Sequence, residues 1–184
     1  MTLSNDDCQR LLRLARHCLD ARVLRLSPPP VDRGGGLDDP MGVFVTIHSR
    51  GELRGCLGRL EADRPVADHV AQLAAAVSDS DPRFSPLRAE ELATTDIEIS
   101  ALTPEQEVRD VSEIVVGRHG LIVEQGPRRG LLLPQVATEH GWDRETLLES
   151  TCTKAGLPTD AWRQGARMFT FEAQVFGEKD FRRI

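Results

Sequence analysis

Residues 51–60 read GELRGCLGRL, with Cys56 between two glycines and Arg54 two positions upstream. In an extended strand, alternate side chains point the same way, and residues two apart sit roughly 7 Å apart along the backbone. A guanidinium at that spacing favours thiolate over thiol, and the thiolate is the nucleophile and the metal ligand. Gly55 and Gly58 weaken a strand unless a bend or a close approach requires them. Their missing side chains would let a ligand or another stretch of backbone approach the sulfur. The alternative is that Cys56 acts as a small packing residue and the glycines mark a corner of a barrel.

Other groups could complete such a site. Glu98 alternates with Ile97 and Ile99, so it leaves their apolar face; it suits a general base or an anchor for Arg54, or is a solvated carboxylate. His119 lies close to Gly117 and Gly120 and could move protons near neutral pH, or simply occupy a turn. In DPRF, Arg83 could bind a carboxylate or phosphate beside Asp81; otherwise Asp81-Pro82 shapes a turn and Phe84 fills the core. His48 is expected on the Cys56 face, near the turn and exposed.

The elements positioning these residues follow from periodicity. VFVTIHS and TDIEISAL alternate as strands, HGLIVEQG and RGLLLP form a strand pair around Gly126-Pro127, and RMFTFEAQVF closes the chain as a strand. Ser4 and Asp7 make a variant capping box for a first helix over residues 4–26, with Cys8, Leu11, Leu12, Ala15, Cys18, Leu19 and Leu26 on one face. Pro65 suits the first turn of a helix reaching Val77. A later helix is capped by Asp143, turns Leu147, Leu148 and Cys152 inward, and stops at Gly156 and Pro158. Residues 27–40 are a Pro/Gly loop, read as a tether rather than a lid. A first half over 41–92 and a second over 93–178 repeat one plan: a hairpin, Arg-Gly in its second strand, then helix. The expectation is one α+β domain over 1–184, built from two related β-rich halves.

The facing of Cys56 depends on the turn after Ile47. A two-residue Arg50-Gly51 loop would pair Val45 with Cys56 and bring charge onto the Val/Ile face. A three-residue loop, Ser49 to Gly51, keeps Val43, Val45, Ile47, Leu53 and Leu57 on one face, with Thr46, His48, Arg54 and Cys56 on the other. The second keeps the apolar set together and is preferred.

Composition narrows the classes. At 184 residues with 40% hydrophobic and 28% charged residues, the chain has the make-up of a globular protein. A net charge of −6 argues against nucleic acid as partner. No apolar run reaches the roughly 18 residues of a membrane span, and no signal peptide is recognised. Four scattered cysteines without CxxC spacing argue against a disulfide framework or zinc site and for a reducing, cytoplasmic setting. No phosphate loop or nucleophile elbow is present.

LRGCLG at 53–58 closely resembles the LRGCIG hallmark of the AMMECR domain, the AmmeMemoRadiSam system protein A family. DPRFSPL, DIEISAL, VGRHGLIV, RGLLLPQVA, Trp142, KAGLP and FEAQVF are similar to its further motifs, in family order, over residues 41–176. Leu57 stands where Ile is commoner, and Ser80 where a charged residue is frequent. The resemblance implies an α+β fold of two β-and-helix repeats sharing a barrel-like sheet. It also implies a Memo-like protein and a radical SAM protein as partners, and it assigns no reaction. The expected site is centred on Cys56, with Glu98 and His119 as further catalytic candidates and Arg54, Gly55, Gly58, Asp81 and Arg83 around a small-molecule ligand. A non-catalytic binding module using the same cleft is the alternative. The sequence names no cofactor and no metal.

Overall fold

In the computed structural model, residues 2–181 are described. Helix α1, Asn5–Leu24, begins where Ser4 Oγ accepts the Asp7 N–H at 3.1 Å and the Asp7 carboxylate accepts the Ser4 N–H at 3.1 Å. It ends at Arg25, whose left-handed φ of 57° breaks the helical repeat. Leu26 therefore lies past the cap and is 62% exposed, not on the buried face the periodicity suggested. The Pro/Gly segment that follows is pinned. Arg10 donates to Asp32 and to the carbonyls of Arg33 and Gly34, while Arg33 donates to Asp68.

Strands β1 (Val43–Ser49), β2 (Glu52–Arg59) and β3 (Thr95–Leu102) form an antiparallel sheet with β1 in the middle. Helix α2, Val66–Ala76, starts directly after Pro65, which is its N-cap. Val43, Val45, Ile47, Ile97 and Ile99 on one sheet face form a core with the apolar stripes of α1 and α2. The β1–β2 turn differs from the expected one. Ser49 pairs with Glu52, so the loop is Arg50-Gly51, both with positive φ (54° and 88°). That matches the mirror-image turn favoured by right-twisted strands. The register then shifts between Ile47 and His48: His48 pairs with Leu53, Ile47 with Gly55, and Thr46 with Cys56. The bulge inserts Arg54 as an extra residue and returns Cys56 to the face of Thr46. Leu53, expected on the apolar face, lies on the turn side of the bulge and is 43% exposed.

Beyond Leu102 come β4 (Gln106–Glu107), β5 (His119–Gln125), β6 (Arg128–Leu132), α3 (Pro134–Glu139), α4 (Arg144–Lys154), β7 (Arg167–Gly177) and α5 (Glu178–Phe181). β5 pairs antiparallel with β6 and β7, and β4 pairs with β7. Gly126-Pro127 makes the two-residue β5–β6 turn. Asp143 caps α4 by accepting the Thr146 N–H, and Leu147, Leu148 and Cys152 are buried with Leu121 and Val123.

The chain divides into two compact units: Met1–Leu102 with Gln174–Ile184, and Thr103–Ala173. β3 thus belongs to the first. Both units are α+β, and the repeat seen in the sequence has a physical counterpart. In β2, a Cβ on Gly55 would stand 3.1 Å from the Val77 carbonyl at the C-terminus of α2. In β6, a Cβ on Gly130 would stand 2.3 Å from the Ala155 nitrogen at the C-terminus of α4. Each Arg-Gly admits the C-terminal end of a later helix of its own unit. Among the described residues, no helix is long and apolar enough to cross a membrane.

Candidate functional site

Cys56 lies on β2, on the sheet face opposite α1 and α2. It is half-buried, whereas Cys8, Cys18 and Cys152 are buried. Burial pushes those three thiols up. The Thr46 hydroxyl donates to Cys56 Sγ at 3.3 Å from the neighbouring strand. Thr46 in turn pairs with Glu98 on β3. Cys56, Thr46 and Glu98 therefore form one row across three strands. Two strand spacings, about 10 Å, separate the outer members, so Glu98 reaches the sulfur only through something between them. Glu98 borders a separate hollow of about 240 Å³ together with His48, Asp96 and Lys179.

The segment following α2 folds back along β2 and is fastened there twice. Asp81, with a side chain 3% exposed, accepts the Cys56 N–H at 2.9 Å. It also accepts Arg83 Nε at 3.0 Å and Nη2 at 2.8 Å, and the Arg83 N–H at 3.1 Å. The Arg83 guanidinium is the main reason the Asp81 carboxyl is held far below the usual range. The second fastening is Arg54, which donates to Glu91 at 2.9 and 3.2 Å and to the carbonyls of Ser85 and Pro86 at 2.9 and 3.4 Å. This pairing, first among the causes, holds Glu91 down to about 2. A hollow of about 440 Å³ opens beside Arg54, between Arg50, Leu53, Glu91 and Thr94; Cys56 is not in its lining.

The sequence offered the glycines two uses, admitting a ligand or admitting another stretch of chain, and the second is the one seen at both. A Cβ on Gly58 would sit 2.1 Å from the Phe44 ring, which lies over it from the paired position on β1. The space at Gly55 is bounded by Val77 and Ile47 at 3.1–3.2 Å. The clearance at both is taken by the protein's own packing. Gly120 repeats the device in the second unit, where the Phe171 ring would meet its Cβ at 2.2 Å.

His119 lies in the second unit, so the grouping with Cys56 is not one the first unit provides. Its Nδ1 accepts the Val115 N–H at 3.2 Å, and its Nε2 lies 3.8 Å from Glu172 Oε1. Arg118 binds the same carboxylate at 2.8 Å and is the main cause of its lowered pKa. Sequence reasoning placed Thr46 on the Cys56 face by parity but gave it no role. It gave no sign of Glu91 or Glu172, whose contacts come from segments distant along the chain.

Two hairpin-and-helix units, with LRGC on a strand of an antiparallel sheet, define an α+β protein class with its own motif set. The family model described as AMMECR1 matches residues 12–176, and the chain belongs to the AMMECR1 family. It is 44% identical over 188 residues to a protein of Methanothermobacter thermautotrophicus, covering 96% of each chain. It is 40% identical to Protein MK0488 of Methanopyrus kandleri, covering 97% of this chain and 91% of that one. Among solved structures it is similar to the uncharacterized protein PH0010 from Pyrococcus horikoshii, with a TM-score of 0.85 and 37% identity. That match covers 96% of this chain and 93% of the other.

Proposed function

We propose that this protein holds a small-molecule site centred on Cys56, where the sulfur attacks an electrophilic carbon. The observation that supports this most is that Cys56 is the one cysteine of the four that is not buried, with a hydroxyl on its sulfur and its amide anchored to Asp81. In the step, the thiolate forms a carbon–sulfur bond as the leaving group departs with the bonding pair, which suits either catalysis or carriage of an acyl or alkyl group. The Memo-like protein and the radical SAM protein implied by the resemblance are the proposed partners of such a carrier. The test compares metabolites in a strain lacking the native gene with the same strain carrying wild-type protein or Cys56→Ser. The serine variant is expected to reproduce the deletion profile; full restoration by serine would overturn the reading.

A second reading, a non-catalytic module that binds a ligand or partner on this face, draws on two observations. Arg54 is held by Glu91 and two backbone carbonyls, and the space at Gly55 and Gly58 is filled from within. Restoration by serine, combined with loss of function on altering Asp81, would favour it.

A further inference from the structure

We propose that the molecule taken at Cys56 carries a carboxylate, and that Arg83, rather than Arg54, binds it. This rests on the Cys56 reading above and adds the chemical class of its substrate. The two arginines near the cysteine differ in what they have left to offer. All three nitrogens of the Arg54 guanidinium already donate, to Glu91 and to the carbonyls of Ser85 and Pro86, and its side chain is 16% exposed. Four of its five N–H groups are taken, so a carboxylate could not bind it in bidentate fashion without breaking those bonds.

Arg83 is held along one edge only. Its Nε and Nη2 meet the buried Asp81 carboxylate, its side chain is 57% exposed, and among the described residues Nη1 has no protein partner. The Asp81 oxygen that receives Nη2 at 2.8 Å also receives the Cys56 N–H at 2.9 Å. One buried oxygen therefore ties the guanidinium to the backbone of the reactive residue. The Phe84 ring, with its centroid 5.4 Å from Arg83 Cζ, supports the planar group. Asp81 cancels much of the long-range attraction, so selectivity arises at contact. A planar guanidinium with one edge fixed presents pre-aligned donors that match a carboxylate. Because its partner is buried, Arg83 loses little further freedom on binding.

The test uses the full chain and two reagents that alkylate the same way. Iodoacetate and iodoacetamide each give a sulfur–CH₂ bond and release iodide, but only the first is an anion. Rates are read at the Cys56 peptide by mass spectrometry, and the iodoacetate to iodoacetamide ratio is compared with that of a free cysteine peptide. Because both reagents use the same thiolate, the ratio cancels the nucleophilicity of the sulfur. A charge-assisted bond at Arg83 is expected to raise the ratio about tenfold or more over the peptide. R83Q is expected to return it to the peptide value, with R83K in between. A wild-type ratio equal to the peptide's, with ready labelling by iodoacetamide, overturns the carboxylate assignment alone. Failure of iodoacetamide to label native Cys56 overturns the underlying site as well.

Discussion

Replacing Asp81 with Asn keeps the shape of the side chain and removes its charge. The Asn oxygen can still accept the Cys56 N–H and Arg83 Nη2, which share one Asp81 oxygen, but the amide NH₂ then faces the Arg83 Nε and backbone N–H that the other oxygen received at 3.0 and 3.1 Å. Arg83 is more than half exposed and can turn to water, so the full penalty of a stranded buried charge does not apply. The loss is that of hydrogen bonds to a charged group, about 2 kcal/mol. For a chain of this size that corresponds to roughly 4–8 °C in the melting midpoint. The pH dependence separates this cause from generic damage. Asp81 has a folded pKa far below the ordinary value of 3.8. A depressed carboxylate contributes its full stabilisation above the unfolded pKa and loses it as pH falls toward and through the folded one. Urea unfolding followed by circular dichroism should therefore show a constant gap between wild type and D81N from about pH 8 to about pH 5. The gap should narrow steadily below about pH 4. No gap at neutral pH, or one that persists undiminished in acid, would refute the reasoning.

The repeated Arg-Gly predicts unequal responses at matching positions. Gly130→Ala drives a Cβ to 2.3 Å from the backbone of Ala155, which cannot yield as a side chain can, and should cost about 3 kcal/mol or more. Gly55→Ala, with nearest neighbours at 3.1 Å, should fall within about 1 kcal/mol, since the lost freedom of the unfolded chain offsets the crowding. Urea midpoints for the pair check this, and equal shifts would contradict it. Arg54→Met should release Glu91 from about 2 toward its ordinary 4.5 and loosen the segment fastened to β2. Hydrogen exchange should quicken at residues 85–91 while the amides of β1 keep their protection.

Much of the fold was legible because periodicity and capping are local signals. The Ser4–Asp7 box, the alternation in Val43–Ser49 and Thr95–Leu102, and the Gly126-Pro127 turn each declare themselves within a few residues. The β1–β2 turn was misjudged for a physical reason. A three-residue loop and a two-residue loop followed by a bulge give the same side-chain parity. Burial therefore selects the face of Cys56 without choosing between them, and only Leu53 betrays the difference. The cluster at the site was partly legible, since strand parity put Thr46 and Cys56 on one face. The fastening of residues 81–91 onto β2 was not, because the sequence gives no register between a strand and a loop. Whether the glycines clear space for a ligand or for the chain itself is not legible in the sequence, because their partners, Phe44 and Val77, are visible only once strand pairing and helix docking are fixed.

The most direct test of the account is site-resolved alkylation of the native protein with iodoacetamide. Cys56 should be modified under native conditions, while Cys8, Cys18 and Cys152 react only after denaturation. A native protein whose Cys56 resists the reagent as long as the three buried thiols do would contradict a cysteine-centred site.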